Sequence, residues 1–289
     1  MTKTILIADS GSTKTDWRLM TPRQAVEAYT TLGLNPYLQT EEGVFQEIDQ
    51  NLRTKIPSQA ATVDKIYFYG AGVANEEKAE FFRQTLRQVF PSALTVEAWS
   101  DLFGAARALC GTKAGIVCIL GTGSNSCYYD GQTMVDNVPP CGYILGDEGS
   151  GTALGKKLLS AFLKRGLSAA ASQKLIEQHQ LTKDEILERV YKKPFPNRFL
   201  AGFAIFMREN LDDESIAKLI ETGFEEFLDR NVVHYPQHKE LPIHFTGSIA
   251  FYFREPLEKV LYQRQLQIGR IIKVPIDDLV EFHKKWHRG

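Results

Sequence analysis

Acidic, hydroxyl-bearing and glycine residues gather at short turns in this 289-residue chain, and the first such turn carries the most chemistry. Residues 9–15 read Asp-Ser-Gly-Ser-Thr-Lys-Thr, directly after the apolar run at 5–8. A turn of small residues lets backbone N–H groups and the Ser12 and Thr13 hydroxyls approach anionic oxygens. Lys14 adds positive charge, and Asp9 at the strand end can hold hydrated magnesium. The same residues would also make an ordinary polar β-turn with no ligand. Residues 121–125, Gly-Thr-Gly-Ser-Asn, offer similar donors and hydroxyls without a basic residue. Residues 244–250, His-Phe-Thr-Gly-Ser-Ile-Ala, end a strand in Gly-Ser before helical spacing over 251–262. Gly247 there permits a flat base or a ribose to pack against backbone, and the helix N-terminus beside Ser248 favours an electronegative group.

Carboxylates supply the second kind of chemistry. Asp101 follows the apolar segment 94–99 and opens a helix over 102–109, which puts it at a strand-to-helix junction. Phosphoryl transfer needs mainly alignment and charge neutralisation, with one carboxylate to orient and deprotonate the attacking hydroxyl. By residue type alone, the simpler reading is that Ser100 caps the helix and Asp101 complements its dipole, worth about 0.3 to 1 kcal/mol. Asp147 and Glu148 lie between Gly146 and Gly149. That pair suits sugar hydroxyls or metal-bound water, and a solvated loop before a helix at Gly151 would look the same.

Other patterns carry less. Residues 151–157 resemble a Walker A loop, but the glycine spacing is wrong and the hydroxyl after the lysine is missing. Gly70 with Gly72 and Gly121 with Gly123 both lack the third glycine of a dinucleotide fingerprint. His283 and His287 are four apart on a terminal helix, a chelating spacing, yet with no acidic or cysteine partner nearby a solvated helix end is the better reading. Pro236 interrupts the face that His234 and His238 would share. The basic run 284–288 is favoured near a helix C-terminus by the dipole alone.

These residues need a frame to hold them, and the chain is long enough for about two domains. Lys plus Arg number 34 against 35 Asp plus Glu, and 43% of residues are hydrophobic, which argues against disorder and a polyanion-binding surface. Nucleic acid is therefore not an expected partner. The longest apolar runs fall far short of the roughly 20 residues that span a bilayer, and residues 5–8 are too short for a secretory core, so a cytoplasmic protein with no membrane partner is expected. Cys110, Cys118, Cys127 and Cys141 read as reduced, mostly buried thiols.

Strands at 5–8, 16–20 and 65–69 alternate with a helix over 75–90, where Ala79, Phe82, Leu86 and Phe90 share one face until Pro91 stops it. Residues 151–231 turn to long amphipathic stretches, including 153–167 and 215–228, and Thr182 with Glu185 marks a capping box. Strand character returns at 243–245 and 271–274. Shifting the chain by 112 lays residues 5–12 over 117–124, strand and Gly-Ser turn alike, as a duplicated α/β protein would show. A boundary near residues 111–115 reads as a hinge between packed domains.

The order of these motifs, from residues 9–15 through Ser100-Asp101, 121–125, Gly146-Asp-Glu-Gly-Ser150 and 246–248, resembles the BadF/BadG/BcrA/BcrD ATPase family. That family lies within the actin, sugar kinase and heat-shock chaperone superfamily, and the likeness is greatest to N-acetylglucosamine kinases. The resemblance implies an α/β chain of two ribonuclease-H-like domains, 1–112 and 113–289, with a nucleotide-binding interdomain cleft and a mainly helical insertion in the second. The last helix could pack back on the first domain. It also implies ATP and Mg2+ as cofactors and phosphorylation of an amino sugar, N-acetylglucosamine at its 6-hydroxyl.

By the same resemblance Asp9 organises magnesium. Gly11, Ser12, Thr13 and Lys14 face the β and γ phosphates, Gly121, Thr122 and Gly123 form a second phosphate loop, and Gly247 and Ser248 meet the adenosine. Asp101 matches the catalytic base, while Asn35, Thr122, Asn125 and Asp147 match positions that touch the sugar. Ser10 stands where many relatives have glycine, which would add a side chain beside the phosphates. Alternatives are an ATPase that activates a dehydratase through an intersubunit iron-sulfur cluster, and a non-catalytic nucleotide- and sugar-binding protein. A homodimer is left open.

Overall fold

The computed structural model describes residues 3–11, 13–22, 25–37 and 39–286. Backbone contacts divide the chain into two units. One is Met1–Thr112 with Pro275–Gly289, and the other is Lys113–Val274.

The first unit is built on strands β1 (Thr4–Ser10), β2 (Lys14–Met20), β3 (Val26–Leu32), β4 (Val63–Gly70) and β5 (Thr95–Ser100). Their order is β3-β2-β1-β4-β5. The β1–β2 and β2–β3 pairs are antiparallel, whereas β1–β4 and β4–β5 are parallel. Central strands read as near-continuous apolar runs because helices cover both faces. Successive side chains alternate across the sheet. Leu6, Ala8, Ile66 and Phe68 join the cluster formed with Val44 and Ile48 of helix Glu41–Asn51 and Phe82 and Leu86 of helix Glu76–Val89. Tyr67 and Tyr69 point the other way, where His283 of helix Ile276–Trp286 stacks on Tyr67 at 4.0 Å and meets the Tyr69 hydroxyl at 3.0 Å.

That contact corrects one expectation. His283 is 1% exposed and belongs to the core of the first unit, so it is not a solvated helix end. The terminal helix buries Ile276, Leu279, Val280 and His283 on one side, a face whose i, i+3, i+4 and i+7 spacing the chelation question had hidden. His287 lies outside the described residues.

The second unit contains β6 (Gly115–Leu120), β7 (Ser124–Tyr129), β8 (Met134–Asp136), β9 (Ile243–Thr246) and β10 (Ile268–Ile272) in the order β10-β9-β6-β7-β8. The β6–β7 and β7–β8 pairs are antiparallel and β6–β9 and β9–β10 parallel, so the order and sense repeat those of the first sheet. Between β8 and β9 lie helices including Gly151–Leu163, Ala169–His179, Lys183–Tyr191 and Glu214–Arg230. Their apolar faces pack with β6 and β9 in one core. Thr182 and Glu185 form the expected capping box.

Two elements end differently from the sequence pattern. The helix expected to 167 stops at Leu163, followed by Arg165 with φ 58°. The segment 251–262 is split into Ser248–Tyr252 and Arg254–Gln263 because Pro256 cannot donate to residue 252 and is tolerated only in a first turn. Cys118 and Cys127 are buried, but Cys110 is half-buried and Cys141 exposed, so the thiols are less uniformly internal than expected. Among the described residues no helix is long and apolar enough to cross a membrane.

Candidate active site

In the first unit the C-terminal ends of β1, β4 and β5 lie side by side, with Ser10 opposite Gly70 and Gly70 opposite Ser100. Asp9 is the penultimate residue of β1 and Asp101 the first residue after β5. Crevices at the carboxyl ends of parallel strands are where open α/β sheets take their ligands. Asp101 fills both roles its position offered. Ser100 caps helix Asp101–Cys110 by accepting from the Phe103 N–H at 3.2 Å, and the Leu102 N–H donates to Asp101 Oδ1 at 2.8 Å. One Asp101 oxygen is thus anchored, which orients the carboxyl group.

Burial raises the Asp101 carboxyl to about 6, against the Leu102 N–H, which lowers it. Burial raises Asp9 to about 7, with Asp101 and Asp16 adding repulsion and Lys14 opposing. Asp16 stands directly across β1–β2 from Asp9. Its own carboxylate takes Lys14 Nζ at 2.6 Å and the Thr30 hydroxyl at 3.3 Å. Lys14 is therefore tethered at the base of the turn while its side chain remains 56% exposed.

The turn between β1 and β2 is closed by the Gly11 N–H donating to Lys14 O at 3.0 Å, and the Gly33 N–H donates to Thr13 O at 3.0 Å. Gly11, Thr13 and Lys14 are exposed, and Ser12 lies outside the described residues. Ser10 overturns one expectation. Its side chain is fully buried, with Oγ 2.7 Å from Thr15 Oγ1 and accepting from the Leu34 N–H at 3.2 Å. It faces into the protein, so it adds no bulk beside a phosphate. Asn35 uses Oδ1 to accept from the Tyr37 N–H at 2.9 Å, which closes a local turn.

A magnesium ion fits this donor set. Mg2+ usually takes one or two carboxylates, with waters and substrate phosphates completing its shell. Asp9 with Asp16 beside it supplies that number, and a divalent charge would offset the repulsion Asp16 adds at Asp9. Among the described residues no three His, Cys, Asp or Glu side chains form an all-protein metal cage.

In the second unit the turn 121–123 joins β6 to β7 and is closed by the Gly121 N–H donating to Gly123 O at 2.9 Å. The N-terminus of helix Gly151–Leu163 is bolted to it. Gly151 N–H donates to Gly121 O at 2.8 Å, and Thr152 donates to Thr122 O through both its N–H at 3.1 Å and its hydroxyl at 2.6 Å. Asp147, at φ 58°, accepts from the Ser124 N–H at 3.2 Å, and a Cβ on Gly123 would lie 3.1 Å from its carboxylate oxygens. Burial raises the Asp147 carboxyl, the Ser124 N–H lowers it, and Glu148 adds repulsion. Glu148 itself is taken up by Arg230 Nη1 at 3.2 Å. Asn125 Oδ1 accepts from Asn137 Nδ2 at 3.0 Å, which holds it at the start of β7.

Gly247 makes a close approach to the neighbouring strand's backbone, not the ligand contact for which the sequence singled it out. At φ 112° it sits where a Cβ would come 2.2 Å from the Leu120 carbonyl oxygen, so no other residue fits without moving backbone. That contact brings Ser248 beside Gly121 and Thr122, and all three line a groove of about 450 Å3.

No protein-family profile matches the chain, and no curated protein matches it. Among solved structures, a candidate N-acetylglucosamine kinase from Porphyromonas gingivalis is 41% identical, with 98% of this chain and 99% of that chain covered and a TM-score of 0.93. The chain belongs to that sugar-kinase family. A candidate N-acetylglucosamine kinase from Chromobacterium violaceum shares the fold at 19% identity and TM-score 0.75, covering 97% of this chain and 98% of that one. A glucokinase of the ROK family from Streptomyces griseus, solved with glucose and AMPPNP, shares it at 14% identity and TM-score 0.57, covering 99% and 100%. The two five-stranded sheets are thus those of the actin-like sugar-kinase fold.

Sequence reasoning about this sugar-kinase family member missed two sets of residues. Asp16 was legible only as a strand residue, because its pairing with Asp9 depends on the three-residue turn and its register. The groove is also lined by Ile205, Arg208, Glu209 and Tyr252. Three of these come from a short helix in the insertion, Ala204–Glu209, whose sequence reads as ordinary amphipathic helix.

Proposed function

We propose that this chain transfers the terminal phosphoryl group of ATP to an amino sugar, N-acetylglucosamine at its 6-hydroxyl, as a cytoplasmic member of the BadF/BadG/BcrA/BcrD branch. The carrying observation is the pair of carboxylates at one sheet edge: Asp101, anchored by the Leu102 N–H and held at about 6, and Asp9, within its electrostatic reach. A general base works best with a pKa near the operating pH. Asp101 would accept the proton of the attacking hydroxyl, and its anchored oxygen keeps the other aimed at that proton. Asp9 would hold Mg2+, which when bound neutralises phosphate charge.

The turn residues Gly11, Ser12, Thr13 and Lys14 would grip the β and γ phosphates, with Gly121, Thr122 and Gly123 forming the second grip. Gly247 and Ser248 would meet the adenosine. Asn35, Thr122, Asn125 and Asp147 would fix the sugar, and the fixed Asp147 carboxylate suits a pair of sugar hydroxyls. Buried Cys118 and Cys127, within β6 and β7, are poorly placed to share an iron-sulfur cluster with a second subunit. The experiment is an ADP-release screen with ATP, Mg2+ and about a dozen sugars, each product checked by mass. N-acetylglucosamine should give the highest kcat/KM and a monophosphate at the 6-position, and a better acceptor from another sugar class would replace the assignment.

A further inference from the structure

Asn125 is held by more than its own strand. A backbone N–H can only donate, so the Ser126 N–H, 2.9 Å from Asn125 Oδ1, fixes which end of the Asn125 amide carries the oxygen. Asn137 Nδ2 donates to the same oxygen at 3.0 Å. A carbonyl oxygen has two lone pairs, and both are now taken. A ligand that meets this amide therefore meets a donor. Asn137 is fixed by the same logic, because its Nδ2 also lies 2.6 Å from Ser126 O and 3.3 Å from Val138 O, and only a donor can face three oxygens.

Asn137 opens a four-residue stretch, Asn-Val-Pro-Pro, that reaches both Asn125 and Asp147. At its start the Val138 N–H donates to the Tyr235 hydroxyl at 3.0 Å, and that hydroxyl, on a fully buried side chain, lies 2.8 Å from Ser126 Oγ. At its end Pro140 O accepts from the Asp147 N–H at 3.0 Å. A Cβ on Gly146 would fall 2.0 Å from that carbonyl oxygen, so the stretch lies hard against the backbone before Asp147. The fixed φ of Pro139 and Pro140 stiffens the span between the two ends. Residues 137–140 thus form a brace.

The two braced residues differ in what they offer. Asp147, when ionised, only accepts, and its Oδ1 already takes the Ser124 N–H. Asn125, tied to Asn137, only donates. A sugar hydroxyl does both, so one hydroxyl or two neighbouring ones satisfy the pair. Without the Asn137 bond, Asn125 Oδ1 keeps one partner and the amide is free to turn its oxygen toward the sugar.

We propose that Asn137 is a positioning residue for the acceptor sugar: it holds the Asn125 amide as a pure donor, and the brace of residues 137–140 keeps that donor in register with Asp147. The proposal rests on the sugar-kinase reading above and deepens it by naming a residue that acts on the sugar only through another.

Steady-state kinetics of the full chain with ATP, Mg2+ and N-acetylglucosamine test this in wild type, Asn137→Ala and Asn137→Asp. An aspartate has the shape of asparagine but, when ionised, cannot donate. Both variants should raise the sugar KM about tenfold, the size of one hydrogen bond, with kcat within about threefold and with ADP affinity and melting temperature unchanged. Assays with 3-deoxy-N-acetylglucosamine, 4-deoxy-N-acetylglucosamine and glucosamine identify the group that Asn125 meets. One of the three should lose about tenfold in kcat/KM with wild type and little more when Asn137 is replaced, because the same contact is already gone. A sugar KM within twofold of wild type in both variants, a rise matched by equal losses in ADP affinity and melting temperature, or additive losses with all three analogues overturns this inference alone. Absence of a phosphorylated sugar from the wild type overturns the kinase reading with it.

Discussion

Asp9 and Asp101 place function and stability in opposition. Both carboxyls are raised above the ordinary aspartate range mainly by burial, so the folded chain holds protons there that the unfolded chain releases. Their contribution to stability is therefore full at pH below about 4 and is lost as pH rises to about 7. Asp9→Asn removes a buried charge and should raise stability at pH 8 without metal by on the order of 1 to 3 kcal/mol, seen as a higher melting temperature. The same variant should lose the further rise that Mg2+ with ADP gives the wild type. Thermal scans with and without Mg2+ check both, and a lower melting temperature in metal-free Asp9→Asn would remove the buried-charge argument. Asp101 predicts an acid limb in kcat/KM near pH 6, with activity falling as pH drops and the base becomes protonated. The positions of Asp9 and Asp101 were legible, since each follows an apolar run, but residue type alone favoured a helix-cap reading of Asp101, and the base role entered only with the family resemblance. Ser10 was not legible, because whether a side chain at a strand end points toward the ligand or the core depends on the sheet's pleat.

Glycines at close approaches tie the elements together, and two of them explain why motif reading both succeeded and failed. Gly247 was singled out as a junction glycine, and the Leu120 carbonyl at 2.2 Å from its missing Cβ gives the reason. Gly247→Ala should destabilise by about 2 to 4 kcal/mol and lower the melting temperature by roughly 5 to 15 °C, which differential scanning fluorimetry would register. A change below about 1 °C would mean the β6–β9 junction has slack. Gly155 gave the Walker-like pattern a false glycine. It lies mid-helix, where a Cβ would fall 1.9 Å from Leu200 O, so its place is fixed by helix packing. Capping signals located helix starts at Ser100 and Thr182. Helix Glu41–Asn51 and the outer strands β3 and β8 went unread, since half-exposed edges carry weak patterning.

The two sheets have one strand order and one set of senses, which the overlay of residues 5–12 on 117–124 hinted at. The strands themselves align differently. β1 ends at Ser10 and β6 at Leu120, 110 residues apart, so the overlay at 112 matched Gly-Ser turn chemistry two residues out of step with the backbone. Residue types at a turn can slide where strand pairing cannot. The first unit is also discontinuous, because the chain returns at Pro275 to supply helix Ile276–Trp286 against helix Asp101–Cys110. Arg107 on that helix donates to the Tyr69 hydroxyl at 2.7 Å, and His283 closes the network at 3.0 Å. A chain ending at Val274 should therefore lose stability and expose apolar surface, seen as increased dye binding and a lower melting temperature, although every motif residue is retained.

The account turns on a carboxylate that takes a proton from a sugar hydroxyl while ATP gives up its terminal phosphoryl group. The most direct test is steady-state turnover of wild type and Asp101→Asn with ATP, Mg2+ and N-acetylglucosamine, the product identified by mass and ADP affinity measured on the same samples. A sugar monophosphate from wild type, with kcat at least ~10²-fold lower in the variant and ADP affinity within about twofold, is the expected result. Equal turnover in the two proteins, or ATP consumed with no phosphorylated sugar, would contradict it.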